Sequence, residues 1–162
     1  MKKIILIMLA AIVCPLLANA QSKQISDIFD KYEKKKHVES IIVTPSLLGF
    51  MIGSEDKEAK DLMSKIKEIR ILNVPTNAVE NGVPLRQILK DELDKFIIKE
   101  QFSRAVKVND GDELLEVYIS QNDKGALLFL ASSTAEFAVI SIFGKIDKEV
   151  VNSVMNGSLK IK

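Results

Sequence analysis

His37 is the only histidine in the chain, so any Ser-His-Asp arrangement would have to be built on it, because a general base must reach its nucleophile. It follows the run Lys34-Lys35-Lys36 at a helix-to-strand junction, and no G-x-S-x-G turn accompanies it. It therefore reads as an exposed or helix-capping residue. A multi-histidine metal site is excluded in a monomer. Carboxylates are better supplied, and glycan hydrolysis needs two of them on opposite sides of a bond. The clusters are Asp110, Asp112 and Glu113 in a turn, and Asp91, Glu92 and Asp94 on a helix. There is no Trp, and Tyr32 and Tyr118 are the only phenols, so aromatic platforms for a sugar are scarce. The clusters read as turn chemistry and a solvated helix face. The stretch NDGDE (109–113) has alternating oxygen ligands, but a calcium loop counted from Asn109 would need glutamate where Ser120 stands. The seven glycines are scattered singly and form no phosphate-binding loop. No catalytic, cofactor-binding or metal-binding residue is assigned.

Two features suit binding. SLLGFMIG (46–53) is dense in large apolar side chains, and Leu47, Leu48, Phe50, Met51 and Ile52 are its candidate partner-binding residues. Exposed apolar surface of this kind marks a protein or membrane contact, and the competing reading is ordinary core under the sheet. The Lys34-Lys35-Lys36 run suits anionic headgroups or simply a solvated helix end.

The elements that would position these residues follow from periodicity. Ile25, Ile28, Phe29 and Tyr32 recur at helical spacing, ending in the lysine run. Val38 to Thr44 reads as a strand halted by Pro45. A second helix is expected from about Asp56 to Lys65, burying Ala59, Leu62, Met63 and Ile66, followed by a strand from Glu68 to Val74. Asn77 to Gly82 reads as a loop, and Pro84 suits the first turn of the longest helix, which presents Leu85, Ile88, Leu89, Leu93, Phe96 and Ile97 on one side. Four short strand candidates then follow at Ala105–Val108, Leu114–Ser120, Ala126–Ala131 and Phe137–Phe143. Turn residues between them favour an antiparallel meander. ALLFLA (126–131) is apolar on both faces and so belongs centrally, with helices over part of each face. Alternation of Leu115, Val117 and Ile119 with Glu116, Tyr118 and Ser120 predicts one wet face. Asp147 is a good N-cap for a closing helix, with Ile146 placed to staple to Val151 and Asn156-Gly157 as the stop. The expected fold is a single α+β domain, an antiparallel-rich sheet with a C-terminal β-meander packed against amphipathic helices.

The first twenty residues have the pattern of an export signal. Lys2 and Lys3 precede an apolar run from Ile4 to Val13, and Ala18-Asn19-Ala20 gives the small-x-small cleavage pattern before Gln21. The apolar stretch is interrupted by Pro15 and is short for a membrane span, which needs roughly 20 apolar residues. Cys14 would be the lipidated residue of a lipoprotein, but Val13 before it is larger than such processing prefers. Cleavage removes 20 of 162 residues and leaves a domain of 142, residues 21–162. Without Lys2 and Lys3 it has 21 Lys+Arg against 22 acids, and without Cys14 it has no cysteine. Disulfides, thiol catalysis and cysteine metal sites are thereby excluded. The near-neutral balance and the well-separated Arg70, Arg86 and Arg104 argue against nucleic acid.

The opening helix with Phe29 and Tyr32, the VESIIVT and EIRILNV strands, and the terminal ISIFGKID span roughly residues 25–155. On these the chain resembles the exported bacterial family called domain of unknown function 4252. The resemblance implies an envelope-associated domain of Gram-negative bacteria and brings no activity, cofactor or catalytic residue. The function expected is that of an exported, non-enzymatic envelope domain, periplasmic or outer-membrane-associated, binding a protein or lipid partner. The alternative is a small carboxylate-based periplasmic hydrolase or ligand-binding enzyme.

Overall fold

The computed structural model describes residues 23–44, 46–47, 57–120 and 125–155. Helix α1 (residues 23–32) buries the predicted stripe of Ile25, Ile28, Phe29 and Tyr32. Its last turn closes with the Glu33 amide donating to the Phe29 carbonyl at 2.9 Å, so the lysine run lies just beyond the helix rather than in its final turn. His37 is exposed, with φ of 68°, and bends the chain into strand β1 (Glu39–Val43). Helix α2 (Lys57–Lys65) passes without a loop into strand β2 (Ile66–Pro75). Ile66, expected in the helix, instead opens that strand, where a bulge falls between Ile66 and Glu68.

The expected loop at 77–82 is a small hairpin of β3 (Val79–Glu80) and β4 (Val83–Pro84). Asn81 and Gly82 both have positive φ, 52° and 81°, as a type I′ turn requires. Pro84 stands at the N-cap rather than in the first turn of helix α3 (Leu85–Lys99), its φ of −56° suiting proline. Strands β5 (Ser103–Asp110), β6 (Glu113–Ile119), β7 (Ala126–Ser132) and β8 (Glu136–Gly144) form the predicted meander. The main sheet has six antiparallel strands in the order β1-β2-β8-β7-β6-β5, with β7 in the middle as its two apolar faces demand. The architecture is α+β in one domain.

The two sheet faces are covered unequally. On one, α1 and α3 pack along the sheet over Leu72, Val74, Leu128, Leu130, Phe137 and Val139. On the other, α2 and the closing helix α4 (Lys148–Met155) contribute Leu62, Met63 and Val150 over Ile66, Leu127 and Ile142. This placement removes the expected wet face of β6, whose other face is covered at Val117 and Ile119 as well. Glu116 and Tyr118 are buried on the α1 and α3 side and Ser120 just beyond the strand is buried too, while Leu115 on the other side is 36% exposed. The reason is local: Arg104 on the neighbouring strand donates to the Glu116 carboxylate at 3.0 Å, which makes burial of that charge tolerable. The face that carries Leu115 runs out beyond the reach of α2 and α4.

Ser141 lies fully buried in β8, and its hydroxyl has no hydrogen-bond partner among the described residues. Such an oxygen costs about 1–3 kcal/mol. Ser141→Ala is therefore expected to leave stability unchanged or raise it by about 1 kcal/mol. A clear fall in the denaturation midpoint would show the hydroxyl to be satisfied.

Asp147 caps α4 as its sequence position predicts, with one oxygen accepting from the Glu149 and Val150 amides at 3.1 Å each. The Lys65 ammonium sits 3.0 Å from the other oxygen. The Lys65 hydrogen bond and then the Val150 amide hold the Asp147 carboxyl below its ordinary range. Burial works to raise Glu92, but hydrogen bonds from Lys31 and Tyr32 outweigh it and lower this group too. Both carboxyls are thus depressed in the folded state, so their stabilisation is complete above the unfolded values of about 4. It is lost as pH falls through the lower, folded values. Denaturant midpoints measured from pH 6 downward should fall below pH about 4, less steeply in Glu92→Gln.

A candidate binding face

Residues paired across neighbouring strands share a face of the sheet. On the side of α2 and α4, the row Val43, Ile69, Ile142, Leu127 and Ile119 lies under or beside those helices. The next row crosses all six strands as Ile41, Ile71, Ile140, Phe129, Val117 and Val106. Every member is aliphatic or aromatic. Val117 is buried, and Ile71, Ile140 and Phe129 are only half-buried. Ile41, on the edge strand, is 54% exposed.

One row further on stand Glu39, Asn73, Ala138, Ala131, Leu115 and Val108. Val108 is 50% exposed. Over this row lies a shallow cavity of about 460 Å³, whose floor includes Val108, Leu115, Ala131 and Ala138. Its rim carries Asp110, Glu113 and Glu136, all exposed. The rim is built by two hairpins. Asp110 pairs with Glu113 across the Gly111-Asp112 loop, where φ of 59° at Gly111 suits a two-residue hairpin turn. Ser133 closes the β7–β8 turn, its amide donating to the Glu136 carbonyl at 2.9 Å. Asn73 donates from Nδ2 to the Glu136 carboxylate at 2.7 Å, leaving its own Oδ1 buried and without a hydrogen-bond partner among the described residues.

The predicted site residues divide. Leu47 is 49% exposed, and its amide donates to the Thr44 carbonyl at 3.0 Å. Leu48, Phe50, Met51 and Ile52 lie outside the described residues. The acids of the carboxylate reading divide: Asp110 and Glu113 meet on the rim of the 460 Å³ cavity, whereas the others lie apart from it. Glu92 accepts from both Lys31 and the Tyr32 hydroxyl at 2.7 Å, so it belongs to the packing of α1 on α3 rather than to a solvated face. Asp91 accepts from Gln87 and Asp94 from Lys90, each one helical turn away. Asp112 lines a separate hollow of about 350 Å³ with Arg86 and Lys90. Among the described residues no group of three or more His, Cys, Asp or Glu is arranged to hold a metal ion. None of the helices among them is long and apolar enough to cross a membrane.

The cross-strand rows escaped sequence reading, because each strand contributes only one residue to each row. The alternation within β6 was visible, but not how far along each of its faces the helices reach.

A family model matches residues 32–154, nearly all of the described fold. The chain belongs to the family described as domain of unknown function (DUF4252). The match runs from Tyr32 at the end of α1 into α4, so the DUF4252 unit includes the whole six-stranded sheet and its half-covered face. No curated protein and no solved structure matches the chain.

Proposed function

We propose that this DUF4252 protein is an exported, non-enzymatic envelope domain that binds a partner through the half-covered face of its sheet. The observation that carries the reading is the apolar row through Ile41, Ile71, Ile140 and Phe129. It continues into Leu115 and Val108, both exposed. Monomeric proteins seldom leave contiguous apolar surface of this extent open unless it meets another molecule. Leu47, together with Leu48, Phe50, Met51 and Ile52, remains the second candidate contact. Export rests on the basic start, the apolar run and Ala18-Asn19-Ala20.

Crosslinking in intact cells tests the binding reading. Val108→Glu with Leu115→Glu changes two exposed side chains and should leave the fold intact, while removing the crosslinked partner that the natural protein yields. An unchanged partner set would count against this face. For export, Ala20→Phe should leave an uncleaved precursor heavier by residues 1–20. Identical mature masses would place cleavage elsewhere.

A further inference from the structure

Charge and shape together narrow the partner. Across the Ile41 row and the two rows beyond it, the strand positions on this face hold Glu39, Glu136, Glu113 and Asp110, and no lysine or arginine. Lys107, which stands between Val106 and Val108 on β5, pairs with Glu116 and therefore points to the opposite face. An apolar floor of Val108, Leu115, Ala131 and Ala138 thus sits inside an acidic rim whose carboxylates make no ion pair among the described residues, Arg86 of α3 donating instead to the Ser133 carbonyl at 3.4 Å.

From this we infer that the cavity end of the face docks a basic protein segment in which apolar side chains alternate with lysine or arginine. In an extended chain, successive side chains point to opposite sides and alternate ones recur about 7 Å apart. Apolar groups can then settle on Leu115 and Val108, while the long lysine or arginine stems, which leave the segment on its outer side, bend back over the edges to Asp110, Glu113 and Glu136. The rim opposes an anionic membrane surface, because like charges at an interface are strongly disfavoured. Of the two partner classes that apolar surface alone allows, protein is favoured over lipid. The inference rests on the reading of this face as a binding surface.

The test uses the folded protein and two synthetic peptides, one alternating leucine with lysine and one alternating leucine with glutamate. Vesicles rich in phosphatidylglycerol supply the lipid arm. By fluorescence anisotropy at physiological salt, the leucine–lysine peptide should bind and the leucine–glutamate peptide should not. Asp110→Asn/Glu113→Gln/Glu136→Gln should weaken the leucine–lysine peptide about tenfold, as three exposed pairs of modest strength imply. Raising the salt should weaken it too. All three acids are exposed, so an unchanged thermal melt is expected of this variant. Equal binding of both peptides, undiminished affinity in the triple variant, or preference for the vesicles would overturn the inference. Leu115→Ser separates the two levels. Should it abolish binding that the triple variant keeps, the face stands and the cationic assignment falls; if neither matters, both fall.

Discussion

Gly144→Ala should be among the most damaging single substitutions in this protein. A Cβ built on Gly144 would lie 2.2 Å from the Lys65 carbonyl oxygen and 3.0 Å from the Ile66 Cα. Both neighbours are backbone, fixed where α2 turns directly into β2. That oxygen already accepts the Lys145 amide at 2.9 Å, so it cannot retreat without breaking the junction. Gly144 also has φ of 150°, a conformation that L-residues avoid. Overpacking costs about 1–3 kcal/mol and backbone strain a similar amount, so a loss of about 3–5 kcal/mol is expected. Domains of this size have only about 5–15 kcal/mol in all. Gly111→Ala is the internal control: its φ is 59°, but nothing lies within 4 Å of the added methyl. It should cost about 1–2 kcal/mol. Equal denaturation midpoints for the two variants would refute the steric account of Gly144.

The second large effect lies at Tyr32. Its ring is completely buried where α1 meets α3, and its hydroxyl donates to Glu92 at 2.7 Å. Burial, followed by the hydrogen bond to Glu92, pushes the phenol well above its ordinary pKa, so it is neutral throughout the physiological range. Tyr32→Ala should cost about 3–5 kcal/mol through the cavity it opens and the bond it removes. Tyr32→Phe keeps the packing. Glu92 retains Lys31 at 2.7 Å, so this variant should cost about 1–2 kcal/mol. Chemical denaturation of both variants separates the packing and hydrogen-bonding contributions. A phenylalanine as damaging as the alanine would mean that the hydroxyl, not the ring, holds α1 in place.

Period was legible in the sequence, and coverage was not. The stripe of Ile25, Ile28, Phe29 and Tyr32, the meander from β5 to β8 and the Asp147 cap all follow from local spacing and turn chemistry, and the structure contains them. The Asn81-Gly82 hairpin had a signal in its dipeptide, although the surrounding residues are too few to read as strands. For β6, alternation identifies two faces without saying how far along each of them the helices reach. Glu116 is buried because Arg104 stands beside it, and that neighbour is fixed only by strand pairing. The candidate face has the same origin. Ile41, Ile140 and Leu115 are far apart in the chain and meet only through register.

Site-specific photocrosslinking in intact cells tests the binding face most directly. A photoreactive residue placed in turn at Ile41, Leu115 and Val108 samples the half-covered face, and one at Ile98 samples α3. Ile98 is the better exposed of these positions, at 78%. A discrete protein adduct is expected from the three sheet positions and none from Ile98. Adducts from Ile98 alone, or equally from all four, would contradict it.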